Sequence, residues 1–269
     1  MKLLILLFLL LFVPTKGWAE LQITGNLTQG GLVRGQAAPG SQIFYGERQL
    51  KLSGDGKFIL GFGRNAGLRH SLTVIAPNGE VTTENLQITP REYQIEKIDG
   101  ISERLMAPNE EDLLRIRSEA QQVQQARSYD SDLPFFTESF IWPVSGLISG
   151  VYGSQRILNG EPRRPHFGVD IAAPKGTPVV APASGKVRLV HQGMFFSGKT
   201  LIIDHGHGLS SSFLHLQKIL IKSGQQVSQG DKIATVGATG RVTGPHLDWR
   251  INWFDKYLDP VLMVSSPPK

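Results

Sequence analysis

Three short stretches place histidine and aspartate at spacings that could bring their side chains to one point. In "RPHFGVDIAAP" His166 and Asp170 stand four residues apart, an even offset that lets both leave one face of a β-strand and converge on an ion. In "GPHLDWRINWF" His246, Asp248 and Arg250 occupy alternate positions, with Leu247 and Trp249 turned to the other face. In "SSFLHLQ" His215 follows Phe213 and Leu214 on a third expected strand. One histidine and one aspartate on a strand face more often share a hydrogen bond than a metal. Three such strands in one β domain could instead supply a metal centre flanked by two imidazoles, the equipment of a hydrolytic site.

Other polar clusters read as bystanders. "DHGHG" sets His205 and His207 two apart, but Gly206 and Gly208 mark a hairpin tip, where both rings are expected to face solvent. Arg69 and His70 stand alone near a turn and read as a solvated pair. "GSQRILNGEPRRP", residues 153–165, is rich in turn residues and arginine. It reads equally as a solvated loop or as a groove wall, with Arg156 and Asn159 as its candidate contacts.

Strands must position the three motifs. From Phe140 onward, runs such as "LISGVYG", "GKVRLVHQ", "TLIIDHG" and "KIATVG" alternate with proline and glycine, and no stretch has helical periodicity. Residues 139–264 are expected to form a mostly antiparallel β-sheet domain. Residues 20–95 read as short β runs separated by the turns "APGS", "SGDGK" and "APNGE", the pattern of a small Ig-like β-sandwich. Between them, residues 96–138 are expected to be a helical linker: Asn109 is placed to cap, Glu110, Glu111 and Asp112 fill the first turn, and strong helix formers follow. Leu113, Leu114, Ile116, Ala120 and Val123 give that helix a thin apolar stripe for one neighbour. The fold class is therefore all-β with a helical connection.

The chain has 269 residues, 19% of them charged, and the composition of a globular protein. Its start, "MKLLILLFLLLFVPTKGWA", joins Lys2, an apolar run over residues 3–13 and the small residues Gly17 and Ala19, the grammar of an export signal cleaved after residue 19. The apolar run falls short of the roughly 20 residues of a spanning helix, so no transmembrane segment is expected after cleavage. Loss of Lys2 and Lys16 takes the formal charge from +5 to +3. That mild basic balance suits an anionic envelope polymer and is too weak to argue for nucleic acid. With no cysteine, any metal must be held by nitrogen and oxygen.

"HFGVDIAAPKGTPVVAPASGKV" followed by "IIDHGHGLSSSFLHLQKILIKSGQQVSQGDKIATVGATGRVTGPHLDW" resembles the lysostaphin-like (LytM-type) zinc metalloendopeptidases of peptidoglycan, over about residues 140–264. The resemblance implies that His166 and Asp170 are zinc ligands, that His215 helps to bind and polarise the reaction centre, and that His246 is catalytic. It also implies peptidoglycan peptide stems as substrate, with a partner hydrolase or envelope protein as a further candidate partner; the periplasm is the expected compartment because no wall-sorting or surface-anchor pattern follows Pro260. One position departs from the family pattern: Asp248 stands where the third zinc-ligating histidine is expected. Aspartate can ligate zinc, at a less positive centre that favours harder ions. It can also be neutralised by Arg250, leaving a non-catalytic wall-binding or hydrolase-activating module. A lipoyl-like carrier, suggested by "PASGKVRLV" and "VSQGDKIATVG", lacks the lysine at a hairpin tip that a carrier needs.

Overall fold

The computed structural model describes residues 21–265. The export signal expected at residues 1–19 lies outside the described residues. Seven short strands come first: β1 (Gln22–Gly25), β2 (Leu32–Gln36), β3 (Gln42–Tyr45), β4 (Arg48–Leu50), β5 (Lys57–Gly61), β6 (Arg69–Ile75) and β7 (Val81–Gln87). They make two antiparallel sheets, of order β1-β2-β5 and β4-β3-β6-β7. Alternation decides which side chains turn inward, as Leu72 and Val74 do on β6. Val33, Phe58 and Leu60 of one sheet and Ile43 and Leu72 of the other belong to one continuous apolar core.

The connecting segment holds a strand as well as helix. β8 (Ile95–Ile98) pairs in parallel with β10 (Gln155–Leu158), which in turn forms a hairpin with β11 (Glu161–Pro162). A single turn, α1 (Glu103–Met106), precedes α2 (Glu110–Arg127), and Asn109 caps α2 by accepting from the Asp112 amide at 2.8 Å. The apolar stripe of α2 does not pack as expected. Leu113 and Leu114 are 40% and 61% exposed, whereas Asp112, Glu119 and Ala126 are buried. Glu119 accepts from Arg115 at 2.7 Å and from the Phe195 amide at 2.8 Å, so a polar clamp docks the helix on the following β domain. A 3-10 turn at Pro134–Thr137 then leads into it.

That domain is built on β9 (Leu147–Gly150), β12 (Val169–Ala172), β14 (Gly185–Met194), β15 (Gly198–Gly206), β16 (Leu209–Leu216), β18 (Gln226–Val227), β20 (His246–Trp253) and β21 (Lys256–Leu258). The order is β18-β14-β15-β16-β20-β12-β9, with β21 also on β20. A smaller sheet, β13-β19-β17, is formed by Pro178–Val180, Lys232–Thr235 and Lys218–Ile219. Every pairing in these two sheets is antiparallel. Among the described residues no helix is long and apolar enough to cross a membrane.

β20 is the central positioning element. Leu247, Trp249, Ile251 and Trp253 are buried in the core, and the alternate residues His246, Asp248, Arg250 and Asn252 face the other way. Burying one large apolar side chain stabilises by about 1.5–3 kcal/mol. A one-residue slip would exchange four such side chains for an ion pair, so the register that aims Asp248 is strongly enforced.

Candidate functional site

β12 and β20 run antiparallel with Asp170 directly opposite Asp248 and Ala172 opposite His246. Like charges in that relation repel, and both carboxylates are buried, Asp248 to 1% exposure. Two guanidiniums counter them. Arg250 grips Asp248, Nε donating to Oδ1 at 2.9 Å and Nη2 to Oδ2 at 2.6 Å. Arg156 donates from Nη2 to Asp170 Oδ2 at 2.5 Å, and its Nε reaches Glu96 of β8 at 3.4 Å. Burial alone would raise the pKa of Asp248, but Arg250, with His166 beside it, holds the carboxyl well below the usual carboxylate range. Asp170 is lowered as well: burial raises it, and His166 ahead of Arg156 outweighs both burial and the facing Asp248.

Two glycines leave room for these groups. A Cβ at Gly150 would lie 2.5 Å from Asp170 Oδ2, and one at Gly168 would lie 2.6 Å from both Asp248 Oδ1 and Arg250 Cγ. Neither residue stood out in the sequence, where "FGVD" and "ISGVYG" carry no sign of what each glycine faces.

His166 is not on the strand that holds Asp170, because β12 begins at Val169. The loop before it carries the residue instead: the His166 amide donates to Ser154 O at 2.9 Å, and Gly153 N donates to His166 O at 2.7 Å. The ring is buried with Nε2 3.1 Å from Asp170 Oδ1, an approach not aligned as a hydrogen bond. Both ring nitrogens of His166 and Asp170 Oδ1 are buried without hydrogen-bond partners. One ligand atom each from His166, Asp170 and Asp248 lie within 4.8 Å of one another. Buried polar atoms left unsatisfied cost about 1–3 kcal/mol each, and a divalent cation would satisfy two of these three, one imidazole nitrogen of His166 and Asp170 Oδ1. The donor set fits zinc. The grip of Arg250 is compatible with it, since ligating carboxylates are commonly hydrogen-bonded on their outer side.

Two imidazoles stand beside the cluster. The rings of His215 and His246 are 4.9 Å apart between centroids, and His246 Nε2 is 3.9 Å from Asp170 Oδ1. His215 Nδ1 pairs with Thr239 O at 2.8 Å, and His246 Nδ1 with Gly244 O at 3.0 Å. A carbonyl only accepts, so each Nδ1 carries a proton and Nε2 is the nitrogen left to hold a lone pair. Burial pushes the His215 pKa down to about 4, so that ring is neutral at pH 7. Strand alternation would turn His215 away from Leu214, yet both line one groove. A register shift against β15 and a left-handed backbone, φ 63° at His215, re-aim the side chain.

His166, His215 and Asp248 line a groove of about 1000 Å³ that Ala120 and Val123 of α2 also line. The remaining candidates lie elsewhere. His205 and His207 are buried rather than solvent-facing: His205 bridges Ser184 O and Ser211 Oγ at 2.7 and 2.8 Å, and His207 stacks on Phe136. Both rings are structural because the hairpin tip is covered by the segment after α2. His70 is held by the Tyr45 hydroxyl at 2.7 Å. Of the two loop candidates, Arg156 reaches the cluster, whereas the Asn159 amide clamps the Ile101 main chain.

The segment that holds the cluster is similar to known proteins. The family model described as Peptidase family M23 matches residues 164–260. The chain is 47% identical over 87 residues to the peptidoglycan DD-endopeptidase ShyB of Vibrio cholerae, covering 32% of this chain and 20% of the relative. It is 39% identical over 124 residues to ShyA of the same species, a peptidoglycan DD-endopeptidase, covering 41% and 29%. The chain thus spans less than a third of the length of these curated relatives. A crystal structure of a Pseudomonas aeruginosa protein assigned to peptidase M23 superposes with a TM-score of 0.70 at 30% identity, covering 89% of this chain and 95% of that one. With the fold shared over nearly the whole of both chains, the chain belongs to peptidase family M23.

Proposed function

We propose that the chain is a zinc-dependent endopeptidase, exported to the periplasm, that hydrolyses peptide cross-links of peptidoglycan. The observation that carries this reading is the buried convergence of His166, Asp170 and Asp248 beside the lone pairs of His215 and His246. Zinc held by His166, Asp170 and Asp248 would supply a Lewis acid and an acidified water. Proton handling falls to the two rings. His246, whose Nε2 lies 3.9 Å from Asp170 Oδ1, accepts the proton of the attacking water and returns it to the leaving amine. Burial disfavours charge on His215, which orients the water through its Nε2 lone pair.

Arg250 answers the departure at Asp248. A carboxylate paired with a guanidinium is formally neutral, like the imidazole the family carries there, so the pair keeps the centre as positive as two histidines and one aspartate would. One observation favours the second reading, a non-catalytic wall-binding or hydrolase-activating module: the arginines already balance both buried carboxylates without a metal. Incubating the purified chain with cross-linked muropeptides separates the two. The proposal expects monomer release that His166→Ala and Asp248→Ala abolish. A native chain that cleaves nothing, while Asp248→His gains both zinc and cleavage, would establish the second reading.

A further inference from the structure

The groove beside the cluster carries more positive charge than its acids balance. Arg156, Arg163, Arg241 and Arg250 all line it. Arg156 and Arg250 are taken up by Asp170 and Asp248, but among the described residues Arg163 and Arg241 form no ion pair with any carboxylate. Arg163 donates from Nη2 to Met106 O at 3.2 Å, and its Nε is buried without a partner. Arg241 lies with Cζ 4.4 Å from the Phe196 ring centroid and makes one long contact, 3.5 Å, to Leu105 O. Burial, with repulsion from Arg156, Arg163 and Arg250, pushes its pKa down to about 10. Guanidiniums held this way in a low-dielectric groove are short of an anion.

We propose that Arg163 and Arg241 form a carboxylate-recognising subsite, through which the chain selects peptides whose acidic residues carry free carboxylates over their amidated forms. This rests on the peptidoglycan reading and adds a specificity to it. A guanidinium meets a carboxylate through charge-assisted hydrogen bonds, and the buried Nε of Arg163 has no hydrogen-bond partner within the chain. Leu158, Phe196 and Leu214 line the same groove, a mixture suited to a short peptide that alternates methyl groups with acids. Asp130 and Asp255 also line it and oppose a continuous polyanion.

The test is calorimetric binding of a synthetic, uncross-linked, alanine-rich tetrapeptide with two acidic residues, as free acid and as side-chain diamide, to the full native chain. The free acid should bind about tenfold or more tightly, the scale of one or two charge-assisted hydrogen bonds. Arg163→Gln and Arg241→Gln should each remove most of that preference without changing the melting profile, and Arg163→Lys should retain part of it. Equal affinity of the native chain for acid and diamide overturns the subsite, as does displacement of the free acid by polyphosphate at lower concentration than by the peptide itself. Cleavage of cross-linked muropeptides is scored separately. Discrimination without cleavage refutes the enzymatic reading alone, and cleavage without discrimination refutes the subsite alone.

Discussion

Asp248 and Arg250 are the residues on which the site turns. Removing one partner of a buried ion pair strands the other charge, at a cost of about 3–5 kcal/mol. Arg250→Met should therefore lower thermal stability of the metal-free chain sharply, and saturating zinc should restore part of the loss by neutralising Asp248. A thermal melt with and without zinc checks both statements; an Arg250→Met chain as stable as the native one would mean that Asp248 is not held as a buried anion. Gly168 makes a second prediction at this scale. Gly168→Ala drives a methyl into Asp248 Oδ1 and Arg250 Cγ, each 2.6 Å from the new Cβ, so it should weaken zinc binding in a competition titration. Ala at an exposed glycine remote from the site such as Gly54, where a Cβ meets nothing within 4 Å, is the matched control.

At the scale of elements, alternation made β20 legible: Leu247 and Trp249 are buried, and His246, Asp248 and Arg250 share the other face. The N-cap of α2 was legible for the same reason, because Asn109 and Asp112 interact locally. Long-range geometry was not. The loop position of His166, the bulge at His215, the strand β8 and the polar docking of α2 all depend on partners distant in sequence. His205 was misjudged because a glycine-flanked hairpin tip reads as exposed, and nothing local reports the segment that covers it. Its burial has a pH consequence. Burial lowers the His205 pKa, outweighing the Ser184 carbonyl and Asp204, so the folded state holds a neutral ring while the unfolded chain binds the proton more readily. The stability this contributes is complete above the unfolded value near 6.5 and is lost as pH falls through the folded value. Melting temperature should fall between pH 7.5 and 5, and His205→Gln should flatten that dependence; an unchanged slope would mean His205 titrates normally.

Over the whole molecule, the cluster draws on the connecting segment as well as on the β-sheet that holds its carboxylates. Glu96 on β8 accepts from Val151 N at 3.2 Å and from Arg156, which holds Asp170, so the segment after the N-terminal sheets is wired to a carboxylate of the candidate centre. Glu96→Gln should loosen Arg156 and reduce cleavage severalfold with little change in melting temperature, since an ion pair of partly exposed side chains contributes about 1 kcal/mol or less. The central claim is that Asp248, gripped by Arg250, is the third ligand of one metal ion. Zinc stoichiometry and affinity, measured by titration against a chromogenic chelator, tests it most directly. The account predicts one zinc per native chain and a loss of affinity of at least about tenfold in Asp248→Ala. Native protein that binds no zinc, or binds it equally well after Asp248→Ala, contradicts it.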